Sequence, residues 1–260
     1  MSKAIAIIQA RFGATRLPGK VLLKVMGKTI LEYVVERVRK AGSVEDVIVA
    51  TTTAKEDLRI VDLINGLKIN VYRGSKDDVL DRFYQAARLF GAKDIIRVTA
   101  DCPLIDPEVI DNVANYYFKS GADYCSNILE ETFPDGQDVE IFSFYALSDA
   151  WKNAKALSER EHVTPYIRKN PDRFKLGAIK NKMNLGGKRW TLDQKEDFEF
   201  IKTILESLYP SNPDFNMEDV LKFLRRHPEV ENINRGIPRN EGYQKSLKAD
   251  KTTDINYTKE

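Results

Sequence analysis

Ala4-Ile5-Ala6-Ile7-Ile8-Gln9-Ala10-Arg11-Phe12-Gly13-Ala14-Thr15-Arg16-Leu17-Pro18-Gly19-Lys20 carries an apolar run straight into a loop with three cations and two glycines. Five of its first six residues are apolar without alternation, the pattern of a parallel strand buried on both faces. Loops at the carboxyl ends of such strands form the ligand crevice of open α/β sheets. Gly13 and Gly19 permit close backbone approach, so main-chain N–H groups can face an anion. Arg11, Arg16 and Lys20 add charge, Arg as a fork and Lys as a point. The stretch reads as a phosphate cradle, with a plain solvated turn as the competing reading.

Spacing removes two familiar phosphate loops. A P-loop needs four residues between its glycines and Ser or Thr after the Lys; here five intervene and Val21 follows Lys20. The G-x-G-x-x-G spacing of a dinucleotide fold is also missing.

Outward from this loop, strand and helix patterns alternate. Apolar residues at helical spacing predict a helix over 29–41 and another around Leu58–Ile64. Buried strands are expected at Val47–Ala50, Ile69–Tyr72 and Ile95–Thr99. Asp77–Phe90 is a strongly amphipathic helix, and Val109–Tyr117 marks the next, before a short strand at Ala122–Ser126. This succession implies a mostly parallel sheet covered by helices on both faces. Later the pattern loosens. Phe133-Pro134-Asp135-Gly136 is a turn, and Val139–Phe142 a strand able to join the sheet antiparallel. Helices follow near 143–155, 159–169, 195–208 and 217–226, with candidate strands at Phe174–Ile179 and Lys188–Leu192. Residues 1–243 are expected to form one domain with a small later extension, and the polar residues 244–260 a disordered tail. Phe83, Phe90, Tyr117, Phe198 and Phe200 fall on expected core faces.

Forty-one basic against thirty-nine acidic residues give a net charge of +2, too balanced for a general nucleic-acid binder. Cys102 and Cys125 lack metal or redox spacing, two histidines complete no cluster, and no membrane span or signal peptide is visible. A reducing, cytoplasmic setting is expected. Cys102 reads as a small buried residue rather than a nucleophile.

Asp101, at the end of the Ile95–Thr99 strand, either projects into the crevice or caps the helix starting near Asp106. Asp193 precedes a helix and could equally be its N-cap. Asp77 and Asp78 read as caps. Asp138 and Glu140 alternate on a strand, and Glu161 and His162 sit on a helix; each set is either functional or solvated surface.

The run Gln9–Lys20 resembles the signature of cytidylyltransferases that activate sugar acids. The likeness is nearest to the spore coat polysaccharide biosynthesis protein F branch, with a similar pattern in the 3-deoxy-manno-octulosonate cytidylyltransferases. It extends through Ala100-Asp101-Cys102-Pro103-Leu104-Ile105-Asp106, Phe133–Glu140, Arg160–Tyr166 and Arg189–Asp193, with a family-like tail at Asn234–Tyr243. Ala14 stands where the family usually has Ser. The resemblance implies a nucleotidyltransferase (nucleotide-diphospho-sugar transferase-like) fold and transfer of a cytidylyl group from CTP to an acidic sugar, forming a CMP-sugar and pyrophosphate. It implies Mg²⁺ on Asp101 and Asp193, with Arg16 and Lys20 joining them in catalysis. Nucleotide contacts would come from Ala10, Arg11, Gly13, Thr15, Arg16, Lys20, Arg73 and Ser75. Acceptor contacts would come from Asp138, Glu140, Glu161 and His162, with Arg160 or Arg168 on the sugar carboxylate, and the enzyme would be a homodimer. Two alternatives share the sequence: transfer to a sugar phosphate or polyol phosphate, and a catalytically silent nucleotide-binding protein.

Overall fold

The computed structural model describes the backbone of residues 2–257 and the side chains of residues 2–251. The unalternated apolar run forms β1 (Ala4–Gln9). A short hairpin, β2 (Lys24–Val25) and β3 (Lys28–Thr29), leads to α1 (Ile30–Lys40), β4 (Val44–Thr52), α2 (Leu58–Gly66), β5 (Asn70–Gly74), α3 (Val79–Leu89) and β6 (Asp94–Thr99). Then come α4 (Pro107–Ser120), β7 (Tyr124–Ser126), β8 (Glu140–Ser143), α5 (Phe144–Asn153), α6 (Leu157–His162), α7 (Pro165–Lys169) and β9 (Leu176–Ala178). The chain continues with α8 (Lys195–Leu208), α9 (Met217–Arg226), α10 (Pro228–Glu231) and α11 (Glu241–Tyr257).

Seven strands make one sheet in the order β5-β4-β1-β6-β8-β7-β9. The pairs β1·β4, β1·β6, β4·β5 and β7·β9 are parallel, and β8 alone runs against its neighbours β6 and β7. The sheet is mostly parallel, and the expected antiparallel strand is β8. One apolar layer packs α1, α2 and α4 on one face, and a second packs α3, α5 and α7 on the other. Both faces are therefore covered, which is why β1 needs no polar alternation. A third cluster joins α8 and α9 to the hairpin and Trp190. β1 is flanked by β4 on one side and β6 on the other, reached by connections that leave in opposite directions. The crevice of such a sheet opens at that switch point, between the ends of β1 and β6.

Several expectations are corrected. The 159–169 helix is two pieces, α6 and α7, broken where the buried Val163 takes φ 70° and the Thr164 amide donates to the His162 carbonyl at 2.8 Å. A β-branched residue rarely tolerates that conformation. Lys188–Leu192 forms no strand, only an isolated bridge between Asp135 and Arg189. The tail expected to be disordered is helical through Tyr257, and residues 258–260 lie outside the described residues. Its composition hides the contacts that hold it: Ser246 is buried against α6, and Asp250 accepts the Ser158 amide at 3.0 Å. The hairpin had no strand pattern to announce it; its turn rests on positive φ at Met26 and Gly27.

The loop after β6 is pinned from behind by Gln137, fully buried, which donates to the Leu104 carbonyl at 2.5 Å and accepts the Asp106 amide at 2.9 Å. Substituting Gln137→Ala strands both backbone groups and should destabilise the protein by about 2 kcal/mol or more, measured by urea denaturation.

Candidate active site

The cradle loop is built by its own backbone. The Phe12 carbonyl accepts the amides of Ala14 and Gly19, both at 2.8 Å, and the Phe12 amide donates to Asp57 at 2.6 Å. Gly19 has φ 72°, and a Cβ there would lie 2.7 Å from the Phe12 ring, so only glycine closes the loop. Lys20 is delivered from this turn into the crevice.

Its ammonium is the centre of the site. Lys20 Nζ donates to Asp101 Oδ2 at 2.6 Å, Asp193 Oδ1 at 2.8 Å and the Leu192 carbonyl at 2.7 Å. Burial alone would lower its pKa, but the two carboxylates outweigh burial and hold it above the ordinary lysine value. Burial would likewise raise Asp101; Lys20 prevails and holds it low. Asp193 is therefore not the cap of α8. That position is Gln194, with Asp197 accepting the amides of Asp193 and Gln194, both at 2.9 Å.

Asp193 comes from far along the chain, and its placement is explicit. The Leu192 amide donates to the Asp101 carbonyl at 2.9 Å, and the Trp190 amide donates to the Asp135 carbonyl at 2.6 Å. Gly136, at φ 105°, lets the 133–138 turn lie against this segment; a Cβ would sit 2.7 Å from the Trp190 carbonyl carbon. Arg189 clasps Asp197 with two nitrogens at 2.8 and 2.9 Å and reaches Asp135 at 3.0 Å and Asp193 at 3.3 Å. Two acidic side chains thus converge on one cation position, lined by a carbonyl as well. Hard oxygen donors of this kind suit Mg²⁺, which takes one or two carboxylates and completes its shell with phosphate oxygens and water. Among the described residues no cluster of three or more His, Cys, Asp or Glu could cage a metal alone.

Around this centre lies a cavity of about 390 Å³. Of the expected residues, Ala10, Arg11, Thr15, Arg16, Lys20, Asp101, Asp138, Glu161, His162 and Asp193 line it, together with Ala14. Six others are not brought to it. Gly13 stays in the exposed loop. Arg73 donates to the carbonyls of Thr52 and Thr53, and Ser75 accepts the Asp78 amide. Glu140 is buried below, accepting from Arg97, Tyr124 and Thr164. Arg160 pairs with Asp78, the observed cap of α3, and Arg168 lies over the Tyr243 ring at 5.8 Å.

At the acceptor end, His162 Nε2 and Glu161 both bond Ser246, at 3.1 and 2.5 Å, and Tyr243 meets the imidazole edge-on. Burial, with Arg97 nearby, pushes His162 down to about 4, so it is neutral at pH 7. Burial and Asp101 push the Cys102 thiol well up, which removes it as a nucleophile.

The sequence reading missed Arg82. It lies on the apolar face of α3, only 1% exposed, and lines the cavity with neither Nε nor Nη1 partnered. Burial, with Arg11 beside it, pushes its guanidinium down to about 10, still charged at neutral pH. A charge placed between Val79 and Phe83 on a helix's buried face was the available signal.

Residues 5–226 match the model of the cytidylyltransferase family. The chain belongs to that family. An uncharacterized Methanocaldococcus jannaschii protein is 43% identical over 239 residues, covering 90% of this chain and 96% of its own. The spore coat polysaccharide biosynthesis protein SpsF of Bacillus subtilis is 32% identical over 244 residues, covering 88% and 97%. A solved cytidylyltransferase from Leptospira borgpetersenii superposes with a TM-score of 0.85 at 30% identity, covering 92% of this chain and all of that one. The resemblance carried by the 9–20 loop is thus shown over most of the chain, and the doubly wound, mostly parallel sheet is that of cytidylyltransferases. Among the described residues no helix is long and apolar enough to cross a membrane.

The unpartnered nitrogens of Arg82 are free to donate to an acceptor-rich ligand in the cavity. Substituting Arg82→Met keeps the apolar stem and removes an unpaired buried charge. Thermal stability should hold or rise, while nucleotide affinity measured by calorimetry falls about 10- to 100-fold.

Proposed function

We propose that this protein transfers a cytidylyl group from CTP to the hydroxyl of an acidic sugar, releasing pyrophosphate. The observation that carries the reading is the convergence of Asp101 and Asp193 on a cation at the end of the cradle loop. In-line transfer at an α-phosphate builds negative charge on the entering and leaving oxygens, and catalysis is mainly positioning plus charge stabilisation. Asp101 and Asp193 would hold Mg²⁺, which would supply that charge stabilisation. Arg189 keeps Asp193 oriented, and the Leu192–Asp101 backbone bond fixes the spacing of the two carboxylates.

The cations divide the remaining work. Arg11 and Arg82 face the nucleotide from the β1 loop and α3. Arg16, now paired with Asp193 at 2.7 Å and with Glu241, can exchange those carboxylates for phosphate oxygens. Lys20, freed by the triphosphate's arrival, can turn to the leaving pyrophosphate. Acidic-sugar preference is supported by the sequence resemblance and by the polar wall of Asp138, Glu161 and neutral His162. That wall offers several acceptors and donors for sugar hydroxyls.

Asp101→Asn should lower pyrophosphate release by about 10³-fold or more while leaving the melting temperature within a few degrees of the parent. Activity close to normal at saturating Mg²⁺ overturns the metal assignment. A coupled pyrophosphate assay over CTP, UTP and ATP, each with sugar acids and sugar phosphates, should respond to CTP with a sugar acid; turnover confined to a sugar phosphate overturns the acceptor class.

A further inference from the structure

We propose that Asp138 is the general base of the transfer, taking the proton from the acceptor hydroxyl. This inference rests on the cytidylyltransferase reading above. In the step, a lone pair of the acceptor oxygen forms the new bond to the α-phosphorus as its proton passes to an Asp138 oxygen. The bond from the α-phosphorus to the bridging oxygen breaks, and pyrophosphate leaves with that electron pair. The proton on Asp138 then returns to water.

Geometry leaves this carboxylate an open oxygen in the cavity. Among the acidic side chains lining the cavity, Asp101 and Asp193 hold Lys20, Asp135 holds Arg189, Glu241 holds Arg16, and Glu161 accepts from Ser246. Asp138 has one partner, Arg239, whose Nη2 donates to Oδ1 at 2.6 Å. That leaves Oδ2 without a donor among the described residues, on a side chain 31% exposed to the cavity. Its place is also suitable. It stands near Cys102, the neighbour of Asp101, and near the Arg97–Glu140 pair. Asp138 shares one cavity lining with the candidate metal carboxylates Asp101 and Asp193 and with Glu161 and His162 of the acceptor wall.

The anchoring is firm enough for a base. Asn127 brackets the segment, donating to the Gln137 carbonyl at 2.6 Å and accepting the Val139 amide at 2.9 Å. Arg239 itself is held by the Phe133 carbonyl at 3.2 Å.

The electrostatic setting agrees with the geometry. Facing Asp138 are Arg239 from the segment before α11, Asp135 from its own turn, Glu140 on β8, Arg97 on β6, Cys102 after β6 and Arg168 on α7. Partial burial in the cavity lifts its carboxyl; Arg239 and Arg97 pull it down, and Asp135 and Glu140 push it up, to about 7. A base poised near the working pH is the most effective kind. The sign follows: the ionised form takes the proton, so the rate rises with pH through about 7 and falls by one proton's slope below it.

The test is the pH dependence of turnover. Asp138→Asn should lower kcat about 10²- to 10⁴-fold with CTP affinity retained, and its residual rate should lack the limb below pH 7. Arg239→Lys, which weakens the single hydrogen bond on Oδ1, should fold and move the acid limb to higher pH, giving a second readout if Asp138→Asn does not fold. An Asp138→Asn enzyme that keeps the parental kcat or the parental acid limb, or an Arg239→Lys enzyme whose limb does not move, overturns the assignment. Should the parent release pyrophosphate from CTP with a sugar acid while these variants behave as the parent, only this inference fails. Absence of any turnover in the parent fails the underlying reading instead.

Discussion

Everything in this molecule that bears on chemistry depends on one ammonium held between two carboxylates. Lys20 leaves the tight turn closed on the Phe12 carbonyl, and its Nζ joins Asp101 and Asp193, residues separated by more than 90 positions. Two carboxylates so near one another repel strongly unless a cation stands between them. The fold therefore keeps a cation slot, and Lys20 fills it at the cost of its own hydration. A buried pair of this sort contributes little net stability by itself. Its use is positional, since it fixes where a divalent ion and a triphosphate would enter.

That slot rests on supports reaching well beyond it. The switch point at β1 and β6 brings the cradle loop and Asp101 side by side. Nothing in the parallel sheet would bring Asp193 there; its segment is carried in by backbone bonds to Asp101 and Asp135 and by the Arg189 fork. The Gly136 turn presses against the same segment, and Gln137 braces the loop that holds Asp101. The Phe133–Glu140 motif is thus mostly scaffold. Asp138 in it keeps an unengaged oxygen at the cavity. Glu140, two residues on, anchors Arg97, Tyr124 and Thr164 below the floor. The strained Val163 turn serves the same layer, pointing Thr164 at Glu140 while its neighbours Glu161 and His162 line the cavity.

The strand and helix periods of the first 120 residues were legible because a parallel sheet covered on both faces leaves uninterrupted apolar runs between amphipathic helices. Boundaries shifted by a residue or a few, as at Val44–Thr52 against the expected Val47–Ala50. The later half was less legible. Lys188–Leu192 has strand-like residues but docks by scattered backbone bonds, and a helix pattern over 159–169 could not reveal the break at Val163. α11 was hidden because its moment arm is a few contacts, Tyr243, Ser246 and Asp250, rather than an apolar stripe. Arg82 was readable in principle as a charge on a buried helix face, yet the same position reads as an ordinary amphipathic helix when only the apolar residues are counted.

By itself the sequence determined the buried first strand, the anion-cradling loop, the α/β class and the cytidylyltransferase signature, since these are local in pattern and order. Tertiary structure alone decided that Lys20 bridges Asp101 and Asp193, that Arg73, Ser75 and Glu140 stand outside the cavity, and that Arg82 and the first turns of α11 stand at it. Those outcomes depend on which side chains meet across long stretches of chain, where burial and charge pairing are settled only once the sheet, its loops and the Arg189 fork are assembled together.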